Sequence, residues 1–371
     1  MKYERNGIMV ELFGNVLEIR PDLVVMWIIG AALIYLAIKK DMEPALLLPM
    51  GFGAILANLP FSGAVETMDL LFESGIANEL FPLLLFIGIG AMIDFGPLLT
   101  NPKLMFFGAA AQFGIFFTLS MASLLGFDIK DAASIAIIGA ADGPTSIFVA
   151  TQFGSKYIGA IIVAAYSYMA LVPIVQPPVI KLVTTKKERL IRMPYEQKEI
   201  SKTVRILFPI VITIITGIVS PKSVALIGFL MFGNLIRECG VLNNLSDCAQ
   251  NQLANLITLL LGLTVATKMQ AEAFLRPETL MILALGLVAF VFDTVGGVLL
   301  AKLFNLFSKK KINPMIGAAG ISAFPMSARV VHKMGLAEDN QNFLLMHSVG
   351  VNVSGQIASV IAGGLILNLI H

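Results

Sequence analysis

The sequence has little charge and very few cysteine, histidine or tryptophan residues. Charged residues make up 13% of the 371 residues, about half the share that is usual in a soluble domain. The two cysteines, Cys239 and Cys248, form no disulfide or zinc pattern, and we interpret them as free thiols. The three histidines are not at metal-ligand spacing, and no phosphate-binding loop or dinucleotide fingerprint occurs. The sequence therefore has no signature of a zinc protein or of a nucleotide-dependent enzyme.

A concentrated basic surface is also missing. The formal net charge is +2, and the basic residues are dispersed among apolar segments, which argues against a role with nucleic acid. No cleavable signal peptide is recognisable, because residues 1–22 are charged and the first apolar run reads as an uncleaved span. Within residues 1–22 one helical face is apolar, which predicts a segment lying at the membrane interface; its members are Ile8, Leu12, Phe13, Val16 and Leu17.

Apolar residues are what the chain has in excess. They make up 57% of the sequence, and the mean hydropathy is +0.85. We predict an all-α polytopic protein that crosses the cell inner (plasma) membrane several times. Some of the apolar runs are shorter than the roughly 20 residues that span a bilayer, so they must tilt, break or re-enter. The runs are 23–38, 45–59, 81–100, 104–126, 132–151, 157–181, 203–219, 223–236, 253–268, 279–301, 312–331 and 342–368.

One stretch, residues 138–146, combines an acid with a helix break inside an apolar run. It reads Ile-Gly-Ala-Ala-Asp-Gly-Pro-Thr-Ser, and its acid is Asp142. The Gly-Pro pair breaks a helix and frees backbone groups that lipid cannot satisfy. An unpaired Asp within a bilayer costs roughly 2.5–3.5 kcal/mol on the insertion scale. A broken helix with an acid at membrane depth is typical of a transporter cation site, whereas a buried turn in a soluble core would disagree with the composition.

The two halves of the chain resemble each other. Ile-Gly-Ala-Ala at 138–141 recurs at 316–319, an offset of 178. Asn58-Leu59 and Asn234-Leu235 are related by 176, and two further matches, Gly51-Phe52 with Gly228-Phe229 and Pro102 with Pro277, have similar offsets. We therefore predict a duplicated unit of six segments. Its parts are an interfacial segment at 1–22, a first repeat at 23–181, a basic linker at 182–202 and a second repeat at 203–371.

The positions of lysine and arginine predict the orientation. If the linker 182–202 is cytoplasmic, and each half has five spans and one re-entrant hairpin, most basic residues lie inside and an acidic 60–79 loop lies outside. The main misfits among the basic residues are Lys2, Arg5, Arg20, Lys268 and Arg276. An odd number of crossings makes the two repeats inverted, and the hairpins around 132–151 and 312–331 then enter from opposite sides and face each other.

Hard oxygen ligands accompany Asp142 in this arrangement. The second hairpin supplies Asn313 and Ser322, and Asn352 interrupts the last span. Carboxylate, amide and hydroxyl oxygens suit Na⁺ or a proton rather than a soft metal. Asn352 is explained equally well as a residue that hydrogen-bonds a neighbouring helix.

Two other acids need an interpretation of their own. Asp94 lies near Pro97 and Asn101, and we predict a loop there. Asp293 lies within a long apolar run. It is either a second ion or proton group or a partner of Lys268 or Arg276, and we favour the pairing.

At these motifs the whole chain resembles the β subunit of the sodium-pumping biotin-dependent decarboxylases, which act on oxaloacetate, methylmalonyl-CoA or glutaconyl-CoA. The resemblance implies a subunit that decarboxylates carboxybiotin and couples this reaction to Na⁺ export. This chain has Ala140 and Ser146 where the family commonly has Gly and Ala, and neither change removes an oxygen ligand. The residues that carry the resemblance are Gly139–Thr145, Asn313–Gly317 and Ser322–Arg329.

The resemblance also implies roles and partners. Catalytic roles fall on Asp142, Tyr168, Ser322 and Arg329; carboxybiotin binding falls on Arg329, Asn313 and Gly317; Na⁺ binding falls on Asp142, Asn313, Ser322 and Asn352. The implied partners are a biotin-carrier protein, a carboxyltransferase α subunit and a small membrane-anchor γ or δ subunit, around a homo-oligomeric core, a trimer.

Physics alone leaves two alternatives open. A Na⁺- or H⁺-coupled carboxylate transporter without chemistry fits the broken helices equally well. A proton antiporter built on Asp142 and Asp293 fits less well, because it gives Arg329 no role. Neither the organic acid nor the Na⁺ stoichiometry can be read from these residues, and the participation of Tyr166 and Asp293 stays open.

Overall fold

The computed structural model describes residues 18–194 and 199–370, and within these ranges the regular structure is entirely helical. The predicted interfacial segment lies mostly outside the described residues. In the first half the helices are α1 (Pro21–Lys40), α2 (Pro44–Ala57), α3 (Ala64–Phe72), α4 (Leu80–Met92), α5 (Gly96–Thr100), α6 (Met105–Ala110), α7 (Phe113–Leu124), α8 (Ile129–Ala136), α9 (Gly143–Gln152) and α10 (Ile158–Val183).

The second half continues in the same pattern after a short helix in the linker. Its helices are α11 (Lys186–Arg189), α12 (Lys202–Val219), α13 (Val224–Cys239), α14 (Asn243–Asp247), α15 (Ala254–Val265), α16 (Ala271–Phe274), α17 (Pro277–Phe307), α18 (Met326–Glu338) and α19 (Leu345–Leu369). Short 3-10 helices at Ile137–Ala140 and Pro314–Gly320 precede α9 and α18, and π-helical turns at Glu73–Ala77 and Cys248–Leu253 follow α3 and α14.

Every predicted apolar run contains helix, which confirms a polytopic all-α protein. Within the described ranges seven helical stretches are long and apolar enough to cross a membrane, and an eighth is added if a bent pair counts as one span. The expected five full spans in each half are not all met by length, because α2, α4 and α13 have only 14, 13 and 16 residues.

The acidic stretch 60–79 is not the loop that we expected, because α3 forms within it. Met68 and Phe72, one helical turn apart, are buried, whereas Glu66 and Glu73 are exposed. The acids therefore occupy the solvated face of an amphipathic helix.

The chain divides into two compact units. The first contains residues 1–78 and 258–280, and the second contains residues 79–257 and 281–371. In the first unit α1 and α2 cross closely at two glycines, since a Cβ on Gly30 would lie 2.6 Å from the Gly51 carbonyl oxygen. The second unit contains both hairpins. We call residues 129–152 the first hairpin and residues 313–338 the second hairpin.

Two asparagines have matching roles in the two units. Asn58 Nδ2 donates to the Met269 carbonyl at 2.8 Å, and Asn234 Nδ2 donates to the Ile93 carbonyl at 2.9 Å. The two asparagines are 176 residues apart, and so are the two carbonyls. Asn58 of the first predicted repeat thus bonds a carbonyl of the second, and Asn234 of the second bonds the equivalent carbonyl of the first. A duplicated unit produces such reciprocal contacts, so they are consistent with the predicted repeat.

Candidate functional site

Asp142 begins the second arm of the first hairpin and is buried, with 3% of its surface exposed. It is the N-cap of α9, and its Oδ1 accepts the backbone N–H of Thr145 at 3.3 Å. Ala141, immediately before it, has a φ of 50° in the left-handed region, where a side chain costs conformational energy. Pro144 fits at the start of α9, where no backbone N–H is needed. The Gly-Pro sequence thus places a carboxylate at a helix break in the core.

The Asp142 carboxylate is surrounded by hydroxyl and amide groups. Its Oδ2 accepts the Thr145 hydroxyl at 2.8 Å, the Ser359 hydroxyl at 2.8 Å and the Gln356 amide at 3.1 Å. Ser359 and Gln356 come from α19, at the other end of the chain. We call these four residues the Asp142 cluster. Each hydroxyl keeps lone pairs that can turn to a cation, so the donor set fits a small hard ion.

The two hairpins meet at this cluster, as the repeat predicts. The backbone N–H of Ser322 donates to the Ala140 carbonyl at 2.9 Å, which joins the second hairpin to the first. The Ser322 hydroxyl is hydrogen-bonded to the Ser359 hydroxyl, which in turn donates to Asp142. All residues of 131–150 and of 313–323 are buried. The hairpins therefore enclose a polar centre within an apolar core.

Asn352 provides an oxygen that has no partner. Its amide nitrogen donates to the Ile321 carbonyl at 2.7 Å, and its Oδ1 is buried without a hydrogen bond in the described part of the chain. Gln356 lies one helical turn further along α19. An orphaned carbonyl oxygen is costly, and a cation held between Asn352 and the cluster would satisfy it.

Comparisons with known proteins decide the family. A family model described as the Na⁺-transporting oxaloacetate decarboxylase beta subunit matches residues 22–370. The chain belongs to this family. It is 49% identical over 346 residues to the methylmalonyl-CoA decarboxylase subunit beta of Veillonella parvula, covering 93% of this chain and 92% of the relative. It is 50% identical over 350 residues to the glutaconyl-CoA decarboxylase subunit beta of Acidaminococcus fermentans, with the same coverage. It is 43% identical over 410 residues to the oxaloacetate decarboxylase beta chain of Klebsiella pneumoniae, covering 93% and 94%.

Membership in the decarboxylase β-subunit family confirms the predicted class. The chain is a multi-pass membrane protein, a subunit of a sodium-transporting, biotin-dependent decarboxylase complex. The alternative of a carboxylate transporter without chemistry finds no support.

Two tyrosines of this β subunit point to different places on α10. The Tyr166 ring packs against the backbone beside Asp142, since a Cβ on Gly143 would lie 2.4 Å from it, and its hydroxyl has no hydrogen-bond partner among the described residues. The Tyr168 hydroxyl donates instead to the Leu283 carbonyl, within a separate apolar cluster. The geometry thus brings Tyr166 rather than Tyr168 to the Asp142 cluster, because two residues along a helix turn the side chain by about 200°.

Asn313 is buried at the start of the second hairpin, but its contacts do not reach Asp142. Its Oδ1 accepts the Met315 N–H, and its Nδ2 donates to the carbonyls of Arg189 and Ile191 at 2.8 and 2.9 Å. Helix capping and the linker occupy both ends of the Asn313 amide, so its hydrogen bonds place it with the linker rather than with the Asp142 cluster. Gly317 serves close packing, since a Cβ there would lie 2.1 Å from the Gly297 carbonyl oxygen.

The linker of the β subunit is held against the second hairpin. Arg189 Nε donates to Glu338 at 2.6 Å, and Arg192 Nε donates to Asp339 at 2.6 Å. The Arg192 guanidinium and the Gln341 backbone N–H lower the pKa of Asp339. These two arginines of the linker thus anchor it to the end of α18.

Arg329 is exposed on α18, between the buried residues Ala328 and Val330. The Arg329 guanidinium does not pair with the nearby acids Glu338 and Asp339, because Arg189 and Arg192 pair with them instead. No hydrogen bond or ion pair holds the Arg329 guanidinium within residues 18–194 and 199–370. It is available to an anionic ligand.

Asp94 lies in a loop, whereas Asp293 is buried in the core. Asp94 lies in the loop before α5 and pairs with Arg205 at 3.4 Å, as predicted for a loop. The favoured pairing of Asp293 is wrong. Lys268 pairs with Asp69, and Arg276 Nε donates to the Glu272 carbonyl.

Three buried polar residues of the site were missed by the sequence analysis. Gln356 and Ser359 lie four and seven residues after Asn352, which puts all three on one face of α19. This polar stripe in an apolar helix was a readable signal. Gln176 gave none, because three prolines surround it in α10; its Nε2 donates to the Ala318 carbonyl at 2.7 Å and braces the second hairpin.

The two linker ion pairs differ in burial, and this predicts different effects on stability. Arg189 has 13% of its side chain exposed and Arg192 has 56%. Arg189→Met leaves the mostly enclosed Glu338 carboxylate without its partner, and we expect a loss of about 3 kcal/mol. Arg192→Met removes a solvent-exposed pair, and we expect little change in stability. Thermal unfolding in detergent measures both, and equal midpoints in the two variants would contradict the burial argument.

Proposed function

We propose that this β subunit decarboxylates carboxybiotin, delivered from the cytoplasm on a biotin-carrier protein, and couples the reaction to Na⁺ export through the Asp142 cluster. The observation that carries the proposal is the meeting of the two hairpins around a buried carboxylate, with the Ser322 N–H on the Ala140 carbonyl. The direct test is Na⁺-dependent CO₂ release from carboxybiotin by the purified membrane subunit. Release that is indifferent to Na⁺ would refute the coupling.

The Na⁺ ligands that we propose are Asp142, Ser322 and Asn352, with Ser359 and Thr145 added by their contacts. A carboxylate offsets the charge of a dehydrated Na⁺, and hydroxyl and amide oxygens replace its water shell. The unpartnered Oδ1 of Asn352 supports this assignment. Asn313 and Gly317 then act as positioning residues, because their contacts fix the second hairpin against the linker and α17.

The chemical step needs a proton. Carboxybiotin loses CO₂ when its N–C bond breaks, the electron pair stays on the ureido nitrogen, and a proton completes the N–H bond. Ser322 is the relay that we propose, since its hydroxyl is linked to Asp142 through Ser359. Tyr168 was the other candidate, and its hydroxyl is engaged by the Leu283 carbonyl.

Alternating exposure follows from the proposed architecture. We propose inverted repeats at 23–181 and 203–371, joined by a cytoplasmic linker at 182–202, in the inner membrane. Arg329 binds carboxybiotin at the cytoplasmic mouth, and loss of the carboxylate removes an interaction that favours one state. A ligand shifts a conformational equilibrium only by its differential affinity for the two states. A carboxyltransferase α subunit, a small γ or δ anchor and a homotrimeric core complete the proposed complex.

Ser359→Ala tests the ligand set, because Ser359 touches Asp142 and Ser322 at once. Removing its hydroxyl should weaken Na⁺ binding about tenfold, which is the roughly 1.4 kcal/mol of one charged hydrogen bond. Equilibrium binding of ²²Na⁺ measures the change. Ser354→Ala is the matched control on α19, since its hydroxyl donates to the Leu104 carbonyl instead. A Ser359 variant that binds Na⁺ like the Ser354 variant would remove Ser359 from the site.

A further inference from the structure

A second buried carboxylate, Asp293, lies close to the first hairpin and has no part in the proposed function. It is the one charged residue between Glu278 and Lys302 in α17, and none of its surface is exposed. Its Oδ1 accepts the backbone N–H of Ile115 at 3.2 Å. Its Oδ2 is buried and has no hydrogen-bond partner in residues 18–194 and 199–370.

Two glycines make room for this carboxylate. A Cβ on Gly114, at the start of α7, would lie 2.6 Å from Oδ1. A Cβ on Gly139, in the first hairpin, would lie 2.8 Å from Oδ2. Gly139 precedes Asp142 by three residues on the same hairpin. The side chain of Asp293 therefore touches both the broken helix α6–α7 and the segment that carries the proposed Na⁺ ligand.

An ionised carboxylate without a counter-charge is not stable in such surroundings. Burial without pairing costs several kcal/mol, so the group must bind a cation or become neutral. Na⁺ needs several oxygen ligands, and Asp293 offers one free oxygen, Oδ2, which lies beside Gly139. Its other oxygen faces an N–H donor, which repels a cation. A proton satisfies the group with no further ligand.

We infer that Asp293 carries a proton, and that its proton occupancy is coupled to the position of the first hairpin. Asp293 and Asp142 then form two separate exchange groups, one for H⁺ and one for Na⁺. Gly139 covers Oδ2 in the described arrangement, and a movement of the hairpin uncovers it and lets the proton exchange. The coupling to Na⁺ rests on the proposed function. By linkage, any effect of Na⁺ on the proton at Asp293 is matched by an equal effect of that proton on Na⁺.

Within residues 18–194 and 199–370 no ion pair reaches Asp293, and the nearest acid on the first hairpin is Asp142, three residues after Gly139. Helix α7 has no charged residue, and Gly139 belongs to a stretch without charge from Ala132 to Ala141. The remaining titratable groups on these elements lie at a distance along the chain or are engaged elsewhere; they are Lys130, Asp131, Tyr166, Tyr168, Lys181, Glu278 and Lys302.

Infrared difference spectroscopy of the purified full-length subunit tests the assignment, with aspartate labelled by ¹³C. At saturating Na⁺ the Asp142 carboxylate is ionised, so a remaining C=O band of a protonated aspartate belongs to Asp293. We expect this band in the wild type and in the Asp94→Asn control, and its loss in Asp293→Asn. Addition of Na⁺ should shift the Asp293 band in the wild type and leave it unchanged in Asp142→Asn.

Each alternative outcome of these measurements refutes a specific part of the proposal. No protonated aspartate band in the wild type at saturating Na⁺ refutes the proton at Asp293, even if Asp293→Asn fails to insert. A ²²Na⁺ stoichiometry that falls by one in Asp293→Asn shows a sodium site there instead. If Na⁺ does not shift the Asp293 band, the proposed coupling to Na⁺ is refuted, and the protonation of Asp293 is still supported. Na⁺ binding that survives in Asp142→Asn refutes the proposed sodium site, and the Asp293 band is still read independently.

Discussion

Asp142→Asn should reduce Na⁺-stimulated decarboxylation by about 100-fold or more while the protein still folds and inserts. An asparagine caps a helix as well as an aspartate does, so the N–H of Thr145 keeps its acceptor and α9 keeps its start. What the amide lacks is the negative charge that offsets Na⁺ dehydration. Loss of one charge from a buried pair costs about 3 kcal/mol or more, which corresponds to the expected fall in rate. CO₂ release from carboxybiotin at several Na⁺ concentrations measures it.

The N-cap of α8, just before the first hairpin, offers a matched control. Asp128 is also an N-cap, its carboxylate accepts the Lys130 N–H at 3.0 Å, and it is exposed. Asp128→Asn makes the same chemical change in the same structural role, without the hydroxyl cluster. We expect near-normal turnover from it. If Asp142→Asn matches Asp128→Asn in rate and Na⁺ dependence, Asp142 is only a helix cap.

The position of Asp142 and Ser322 could be predicted because the sequence departs from membrane rules there. An acid before Gly-Pro in an apolar run needs a partner, and the repeat identifies the facing hairpin as its source. The contact of Ser322 with Ala140 and with the Asp142 cluster agrees with that argument. The prediction depended on two independent signals, the free-energy cost of an unpaired buried acid and the internal sequence repeat, and both indicate the same residues.

The remaining partners depend on the rotation of helices and on loop paths, which a single sequence specifies poorly. The sequence does not distinguish Tyr166 from Tyr168, because both are tyrosines on the same helix. Only the rotation of α10 about its axis places the Tyr166 ring against Gly143. Asn313 looked like a cation ligand because its type is right. Its amide is used by the linker, whose path over the second hairpin has no periodic signal. Asp293 looked paired because an unpaired acid is costly, and the broken helix at Ile115 supplied a donor instead.

Arg329 is set apart from the other arginines near the second hairpin by what surrounds it. Arg189 and Arg192 both pair with acids at the end of α18, which leaves those acids unavailable to Arg329. Arg329 projects from α18 between buried neighbours, and its guanidinium is exposed. A planar guanidinium grips a carboxylate through two parallel hydrogen bonds, whereas an ammonium acts as a point charge. Carboxybiotin presents one carboxylate, so a comparison of Arg and Lys at this position tests directly whether the side chain binds that carboxylate.

Arg329→Lys should lower the apparent affinity for carboxybiotin roughly 10- to 100-fold, the range expected for a charged hydrogen bond worth about 1.5–3 kcal/mol. Binding of ²²Na⁺ to the detergent-purified protein should stay close to wild type, because Arg329 makes no contact with the Asp142 cluster. Arg192→Lys is the matched control, since it changes an exposed guanidinium that is already paired with Asp339. If the two variants have the same apparent affinity, Arg329 does not bind the substrate carboxylate. If Arg329→Lys weakens Na⁺ binding as strongly as it weakens carboxybiotin binding, the residue supports the fold of the second hairpin, and the carboxylate must be held elsewhere.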